Sequence, residues 1–282
     1  MARLELSAGD YAVTIAPEAG GSLQSFTWRG EPLMRTAAGP GALDAACFPL
    51  VPFSNRVARG RFEWEGRAVE LAPNFPGQDH PHPLHGFGWL TAWDVLETTQ
   101  ASAVLEHRYP GGEWPWPYLA RQTVTVRENG LELSLTIENL SEWSMPAGLG
   151  FHPYFPCNDQ TMLRARHRGE WQNSAHGLPV RLVEAGEAID WWHGQPVGSR
   201  AVDTVYSDRQ GDMVIEWPDR RLSFAIRCSK ELDQTAIFVP EADWFCVEPV
   251  THRTNALNGE PDEIVALQPG AKLSVSVWLG II

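Results

Sequence analysis

Long apolar runs are missing from this 282-residue sequence, and cysteine is scarce. No stretch reaches the roughly 18 consecutive apolar residues that a membrane-spanning helix needs, and the N-terminal segment lacks the apolar core of a secretion signal. The four cysteines lie far apart, with no Cys-x-x-Cys pair, which argues against a disulfide framework. We therefore expect a cytoplasmic protein with reduced thiols and no membrane partner.

Positive charge is also in short supply. Lysine and arginine number 22 against 35 aspartate and glutamate residues, giving a formal net charge of −13. Such a chain repels polyphosphate and anionic lipid, so neither nucleic acid nor a membrane surface is an expected partner. The 43% hydrophobic and 20% charged residues are typical of a globular protein with a sizeable core. Oligomeric state leaves no signature in the sequence.

Helical periodicity is absent as well, whereas alternation with period two dominates the chain. Apolar and polar residues alternate through residues 119–139 on both sides of Asn129-Gly130, which predicts a hairpin with a type I′ turn. Glu65-Gly66 separates a similar pair of runs, and residues 273–279 predict a strand with one buried face. No Pro- or Ser-rich linker marks a boundary. Residues 1–282 are therefore predicted to form one all-β domain, a large antiparallel β-sandwich.

Several signatures of known chemistry are missing, namely Gly-x-Ser-x-Gly, His-Glu-x-x-His, the P-loop and Gly-x-Gly-x-x-Gly. Their absence argues against serine hydrolysis and nucleotide cofactors, and we expect no cofactor. Tryptophan is abundant instead, with 13 residues against 5 tyrosines and 11 phenylalanines. Flat aromatic rings fill β-sheet cores and also stack on sugars. Trp89, Trp114 and Trp116 are candidates for sugar contact because they lie in Gly/Pro-rich loops.

Two loops carry polar side chains beside apolar or glycine-rich segments. Asn55 and Arg56 follow an apolar run, where the guanidinium either reaches ligand hydroxyls or ties two loops together. His80, His82 and His85 suggest a metal, but an extended strand places the first two on one face and the third on the other. No nearby acidic cluster or cysteine completes a ligand set. We predict no metal site, and favour one functional histidine beside the glycines that follow.

Three further titratable residues stand in apolar surroundings. His152 lies in an aromatic segment, where a histidine is either a satisfied core residue or a general acid or base. Glu248 ends an apolar strand, where partial burial would raise its pKa toward that of a useful base. Asp203 is a second carboxylate within an apolar run. Together these residues indicate proton-transfer chemistry.

These segments resemble the aldose 1-epimerase (galactose mutarotase) family over nearly the whole chain. The shared motifs are, in chain order, Asn55-Arg56, Gly60-Arg61-Phe62, Leu84-His85-Gly86, Gly150-Phe151-His152-Pro153-Tyr154-Phe155, Asp203, and Val247-Glu248-Pro249. The resemblance implies a galactose mutarotase-like β-supersandwich with a sugar cleft crossed by long loops. It also implies a cofactor-independent isomerase of carbohydrate and hexose metabolism, with a small-molecule monosaccharide as its partner.

The resemblance further implies a mechanism. Glu248 would be the general base that removes the proton from the anomeric O1 hydroxyl, and His152 the general acid that protonates the ring oxygen. The ring would open to the aldehyde, rotate about C1–C2 and close again. The α and β anomers of a free aldose such as glucose or galactose would thereby interconvert. The implied substrate-binding residues are Asn55, Arg56, Asp203 and, at the ring oxygen, His85.

Two features complicate the choice of substrate. Phe87 stands where many family members have a second glycine, and is expected to narrow or re-line one wall of the cleft. The cluster of Arg164, Arg166 and Arg168 is either the solvated face of a strand or a receiver for a phosphate or sulfonate on the sugar. A mutarotase of a phosphorylated or sulfonated hexose is therefore an alternative.

Two other classes of protein are also alternatives. A glycoside hydrolase would use Asp203 and Glu248 as its two carboxylates, but it would leave His152 and His85 without a role. A non-catalytic sugar-binding module would keep the fold and lack turnover. The presence of both His152 and Glu248 argues against such a module.

Overall fold

Alternating apolar and polar residues form β-strands along most of the chain. The structure, a computed structural model, describes residues 3–75, 80–184, 191–199 and 201–282. The first thirteen strands in these ranges are β1 Leu4–Ala8, β2 Tyr11–Ala16, β3 Ser22–Trp28, β4 Glu31–Pro32, β5 Pro49–Leu50, β6 Arg61–Trp64, β7 Arg67–Glu70, β8 Asp94–Thr98, β9 Ser102–Tyr109, β10 Tyr118–Arg127, β11 Gly130–Asn139, β12 Met145–Ala147 and β13 Gly150–Phe151. The others are β14 Tyr154–Pro156, β15 Met162–Arg164, β16 Gly169–Asn173, β17 Pro179–Glu184, β18 Gln195–Pro196, β19 Val202–Ser207, β20 Met213–Trp217, β21 Leu222–Cys228, β22 Gln234–Val239, β23 Trp244–Val250, β24 Val265–Leu267 and β25 Lys272–Ile281.

Helical structure is limited to single turns in the ranges just given. The 3₁₀ turns are Ala42–Asp44, Ala58–Gly60, Gly88–Leu90, Val197–Ser199, Pro218–Arg220 and Ala256–Asn258. None of these turns is long and apolar enough to cross a lipid bilayer.

Two large sheets form the framework. One has nine strands in the order β18-β15-β20-β21-β25-β11-β10-β9-β8, and the other has the order β17-β16-β19-β22-β23-β13-β5, with β14 also paired to β23. A four-stranded sheet β1-β2-β3-β4 and the pairs β6-β7 and β12-β24 complete the described part of the chain. The paired strands, from β1-β2 to β22-β23, run antiparallel. The predicted all-β antiparallel sandwich is therefore confirmed.

The core lies between the sheets and follows the period-two pattern. Leu133 on β11 is paired with Val277 on β25, and both side chains are buried. Phe245 and Val247 from β23 belong to the same hydrophobic cluster, which includes residues from Leu6 to Leu279. Burial of each such side chain stabilises the fold by about 1.5–3 kcal/mol.

The hairpin at Asn129-Gly130 forms, but its turn differs from the prediction. Val126 pairs with Leu131 and Arg127 with Gly130, so the two turn residues are Glu128 and Asn129. Gly130, with φ of 151°, begins the next strand instead of occupying the turn. A Cβ at this position would lie 2.4 Å from the carbonyl oxygen of Leu279, so contact with β25 requires the glycine.

Strand β23 positions the candidate site. Phe245 and Val247 point into the main core, whereas Trp244, Cys246 and Glu248 share the opposite face because side chains alternate along a strand. Strand β22 flanks β23 on one side, while β13 and β14 pair with it on the other. Side chains from all of these strands can therefore meet over one face of the sheet.

Candidate active site

A cleft of about 270 Å³ is lined by strands of the second sheet and by neighbouring loops. It is lined by all six residues that the family resemblance assigns to catalysis or sugar binding. Strands β23 and β19 supply Glu248 and Asp203, the link between β13 and β14 supplies His152, and two loops supply Asn55, Arg56 and His85. The fold thus brings into one cavity a buried histidine–carboxylate pair, a second histidine and a guanidinium paired with a carboxylate.

His152 and Glu248 form the centre of the cleft. The Nε2 atom of His152 lies 3.3 Å from Oε1 of Glu248, and both side chains are buried. The imidazole packs against the rings of both Phe48 and Tyr154, with centroid separations of 4.6 Å to each, and these two rings also contact each other. This stacking fixes the plane of the imidazole and directs Nε2 at the carboxylate.

Burial controls the protonation of this pair. Burial lowers the pKa of His152 to about 3. Burial also raises the pKa of Glu248 well above its usual value, and the negative charge of Asp203 raises it further, while Arg56 acts in the opposite direction. Both shifts disfavour charge in a dry site. The pair therefore favours one shared proton, held on the carboxyl group next to a neutral imidazole.

His85 is held as a hydrogen-bond donor. The backbone N–H of Asn55 donates to its Nδ1 at 3.0 Å, so the proton of the neutral ring is on Nε2. Burial lowers the pKa of His85 well below its usual value, and His152 and Arg56 add to that effect. The ring contacts the His152 ring edge-on, with centroids 5.2 Å apart. His85 can therefore offer an N–H to an oxygen atom near His152 without changing charge.

The backbone around His85 has conformations and close contacts that restrict which residues can occupy it. Both Asn55 and His85 adopt left-handed conformations, with φ of 56° and 59°. At Gly86, with φ of 68°, a Cβ would lie 2.2 Å from the carbonyl oxygen of Val51. Only glycine fits this close approach, which holds the His85 loop against the Val51 backbone.

Arg56 and Asp203 form a polar rim. An Nη2 atom of Arg56 lies 2.9 Å from Oδ2 of Asp203, and the carboxylate is 44% exposed while the guanidinium is 17% exposed. The Oδ1 atom of Asn55 accepts two hydrogen bonds from Arg56, one from its backbone N–H and one from its Nη1. The pair presents both donors and acceptors, which suits the hydroxyl groups of a sugar.

His252 supports this rim from outside the cleft. The backbone N–H of Ser54 donates to its Nε2 at 3.1 Å, while its Nδ1 contacts the carbonyl oxygen of Arg253 at 2.8 Å. A Cβ at Gly148 would lie 2.2 Å from this ring. His252 therefore links the loop that carries Asn55 and Arg56 to the end of the strand that carries Glu248.

The aromatic wall of the cleft was not predicted from the sequence. Tyr154 and Trp244 line it together with Arg35, whose guanidinium carbon lies 3.6 Å from the centroid of the Tyr154 ring. The Nη2 atom of Arg35 donates to the carbonyl oxygens of Leu43 and Ala45, at 2.7 Å each. Trp244 was detectable, because it lies four residues before Glu248 on the same strand face. Arg35 carried no sequence signal.

Three predicted sugar contacts are wrong. Trp89, Trp114 and Trp116 are buried at 4%, 0% and 1% exposure and do not line the cleft. Loops rich in Gly and Pro here turn inward and contribute aromatic rings to the core. The prediction for Phe87 is also wrong, since this ring stacks on Tyr109 with centroids 4.9 Å apart and does not line the cleft.

The arginine cluster has other partners. Arg164 pairs with Glu216 at 2.9 Å and Arg168 with Glu184 at 3.2 Å. The guanidinium of Arg166 lies 3.4 Å from the ring centroid of Trp192. None of the three arginines lines the cleft. The cluster is the charged face of a surface strand and its neighbouring loop.

The fold and this cleft are those of a known protein family. A model of the aldose 1-epimerase family matches residues 2–280. The chain belongs to the aldose 1-epimerase family, and the resemblance inferred from the sequence is confirmed.

The chain is also similar to individual relatives and solved structures. The uncharacterized Escherichia coli K12 protein YphB is 31% identical over 288 residues, which cover 98% of this chain and 97% of YphB. A crystal structure from the same strain, provisionally named an aldose 1-epimerase, has a TM-score of 0.93 at 28% identity and covers 100% of this chain and 99% of that one. A galactose mutarotase-like protein from Clostridium acetobutylicum has a TM-score of 0.86 at 20% identity. The match covers 99% of this chain and 94% of that one, so the two proteins share the fold.

Proposed function

We propose that the protein is a cofactor-independent aldose 1-epimerase that interconverts the α and β anomers of a free aldose such as glucose or galactose. The observation that carries this proposal is the buried His152–Glu248 pair, with 3.3 Å between Nε2 and Oε1, in a cleft lined by sugar-compatible groups. Membership of the family supports the same reaction. The proposal places the protein in hexose metabolism, and its cytoplasmic location stays a prediction.

The reaction requires one proton to leave O1 and one to reach the ring oxygen, and both oxygens are bonded to C1. Glu248 as carboxylate accepts the O1 proton, and His152 as imidazolium donates to the ring oxygen. The pair then holds its proton on Glu248 beside a neutral His152, which is the state that burial favours. Ring closure reverses both transfers, so the pair holds one proton throughout. Each positioned acid or base contributes about 10²–10⁴-fold to the rate.

The remaining residues bind and orient the sugar. His85, fixed with its proton on Nε2, donates to the ring oxygen. This hydrogen bond stabilises the negative charge that develops on the ring oxygen as the C1–O5 bond breaks. Asn55, Arg56 and Asp203 bind hydroxyl groups at the rim. Tyr154 and Trp244 provide the aromatic wall against the apolar face of the ring.

The alternatives have less support from the site. A glycoside hydrolase would use Asp203 as its second carboxylate, but this group is paired with Arg56. A phosphorylated or sulfonated hexose would find Arg164, Arg166 and Arg168 outside the cleft. A binding module would need no paired acid and base.

Polarimetry tests the proposal directly. Freshly dissolved α-D-glucose and α-D-galactose are followed with wild-type protein, with Glu248→Gln and with His152→Asn. We expect faster decay of optical rotation with at least one sugar, and a loss of about 10²-fold or more in both variants. Glu216→Gln, which removes a surface partner of Arg164, is the matched control and should leave the rate unchanged. No acceleration with either sugar, or full activity in both cleft variants, would contradict the proposal.

A further inference from the structure

Cys246 lies directly between the two cleft-lining residues of β23. It shares a strand face with Trp244 and Glu248, and its side chain is fully buried. The proposed proton transfers give this thiol no role. One sulfur, one imidazole nitrogen and one carboxylate oxygen, from Cys246, His152 and Glu248, all lie within 4.8 Å of one another.

This donor set matches the coordination chemistry of zinc. Zn²⁺ takes sulfur ligands at about 2.3 Å and nitrogen or oxygen ligands at about 2.0–2.2 Å in a tetrahedron. Such bond lengths separate neighbouring donors by roughly 3.3–3.6 Å. The 3.3 Å between His152 Nε2 and Glu248 Oε1 already fits, so the sulfur alone has to move closer. The cleft leaves room for a water molecule as the fourth ligand.

We propose that His152, Cys246 and Glu248 form an inhibitory site for a thiophilic divalent cation such as Zn²⁺. The metal would occupy the nitrogen and oxygen lone pairs that proton transfer requires. Bound cation and productive sugar would therefore exclude each other, and the inhibition would be competitive. No metal site was predicted from the sequence, because the only local concentration of histidines is the loop with His80, His82 and His85, whereas this group is formed by residues far apart in the chain.

The surroundings favour reversible binding. The Nδ1 atom of His152 has no hydrogen-bond partner in the described ranges, although metal-bound histidines usually donate this second N–H to a carboxylate or carbonyl. Loss of such support lowers metal affinity by about 10–100-fold. We therefore expect a cation that a chelator removes, in contrast to a permanently bound structural zinc.

The metal site is tested with Co²⁺ and Zn²⁺ alone, on the full chain. We expect a thiolate-to-cobalt absorption band in wild type that added Zn²⁺ abolishes, and that is absent from Cys246→Ala and Cys246→Ser. Cys157→Ala is the matched control, since Cys157 is half-buried outside the cleft, and it should keep the band. Thermal melting of each variant establishes that it is folded. A missing band in wild type, or an unchanged band in the Cys246 variants, would overturn the site.

The inhibitory consequence rests on the proposed function and is measured separately. Mutarotation is compared with and without Zn²⁺ for each variant, so that the ratio of rates does not depend on basal activity. The Zn²⁺ concentration for half-inhibition should rise by at least about 100-fold in Cys246→Ala, because loss of an outer hydrogen-bond partner alone costs about 10–100-fold, and should stay constant in Cys157→Ala. Cobalt binding without measurable mutarotation would reject the proposed function while keeping the metal site. Mutarotation that Zn²⁺ inhibits equally in both variants would reject the site alone.

Discussion

At the scale of single residues, the decisive property of the cleft is the suppression of charge. Burial lowers the pKa of His152 to about 3 and raises that of Glu248, so the two groups share one proton over a wide pH range. Below this range both groups are protonated, and above it both have lost their protons. Activity should therefore fall on the alkaline side as pH rises through the pKa of Glu248, because no proton is left to donate.

Replacement of Asp203 should move that alkaline limit. After burial, the Asp203 carboxylate is the main cause of the raised Glu248 pKa, and Arg56 lowers it. Asp203→Asn removes the negative charge and releases Arg56 from its ion pair, so both effects lower the pKa of Glu248. The alkaline limb of kcat should shift to lower pH, measured by polarimetry across the pH range.

The Glu216→Gln variant again provides the control, with an unshifted profile expected, because this carboxylate lies outside the cleft. A limb in Asp203→Asn that stays in place or moves to higher pH would show that Asp203 does not set the protonation of Glu248. A change in KM alone would assign Asp203 only to sugar binding.

At the scale of elements, strand periodicity predicts which side chains share one face of a strand. Turn positions and cleft residues from other segments depend on contacts between parts of the chain that are distant in sequence. Alternation from residue 119 to 139 predicted β10 and β11, and the same rule places Trp244 on the same strand face as Glu248. The turn at Asn129 could not be assigned from local residues, since Gly130 is required by the carbonyl oxygen of Leu279. Arg35 was equally hidden, because it reaches the cleft only when its segment packs against Tyr154.

His252 provides the element-scale prediction. Its Nε2 accepts the Ser54 N–H and thereby holds the loop that carries Asn55 and Arg56. His252→Ala should lower kcat/KM by about 10–100-fold, since small misplacements of binding groups have effects of this size. His252→Gln should retain more activity, because its amide oxygen can accept the same hydrogen bond.

A positioning role leaves the acid–base pair intact, so the pH profile of His252→Ala should match that of wild type. Melting curves monitor the folded fraction of each variant. Full activity in His252→Ala, or a loss explained entirely by unfolding, would contradict the assignment. Equal activities in the Ala and Gln variants would exclude the hydrogen bond as the cause.

At the scale of the whole molecule, buried histidines make the free energy of unfolding depend on pH. Six histidines have pKa values lowered mainly by burial: His82, His85, His107, His152, His167 and His252. In the unfolded chain each binds a proton near pH 6.5, while in the folded state it resists protonation to lower pH. Glu248 and Asp233, with raised pKa values, act in the opposite direction, but they are only two carboxyl groups among the residues that the structure describes.

The free energy of unfolding should therefore decrease as pH falls from about 7.5 to about 5.5, because the unfolded state binds more protons. Urea unfolding followed by both tryptophan fluorescence and circular dichroism measures this decrease. If residues 1–282 form one domain, as we propose, the two transitions coincide. Each buried histidine contributes at most about 1.4 kcal/mol per pH unit.

His107 allows the cause to be isolated, because it is buried away from the cleft, between Thr91 and Tyr118. Burial lowers its pKa to about 4. His107→Gln keeps a polar side chain that does not titrate, so its stability should decline less steeply with acid than that of wild type, by up to about 1.4 kcal/mol per pH unit. Identical pH dependence in both proteins would show that His107 binds its proton equally in the folded and unfolded states. If the free energy of unfolding instead rises on acidification, the raised pKa values of carboxyl groups such as Glu248 determine the pH dependence.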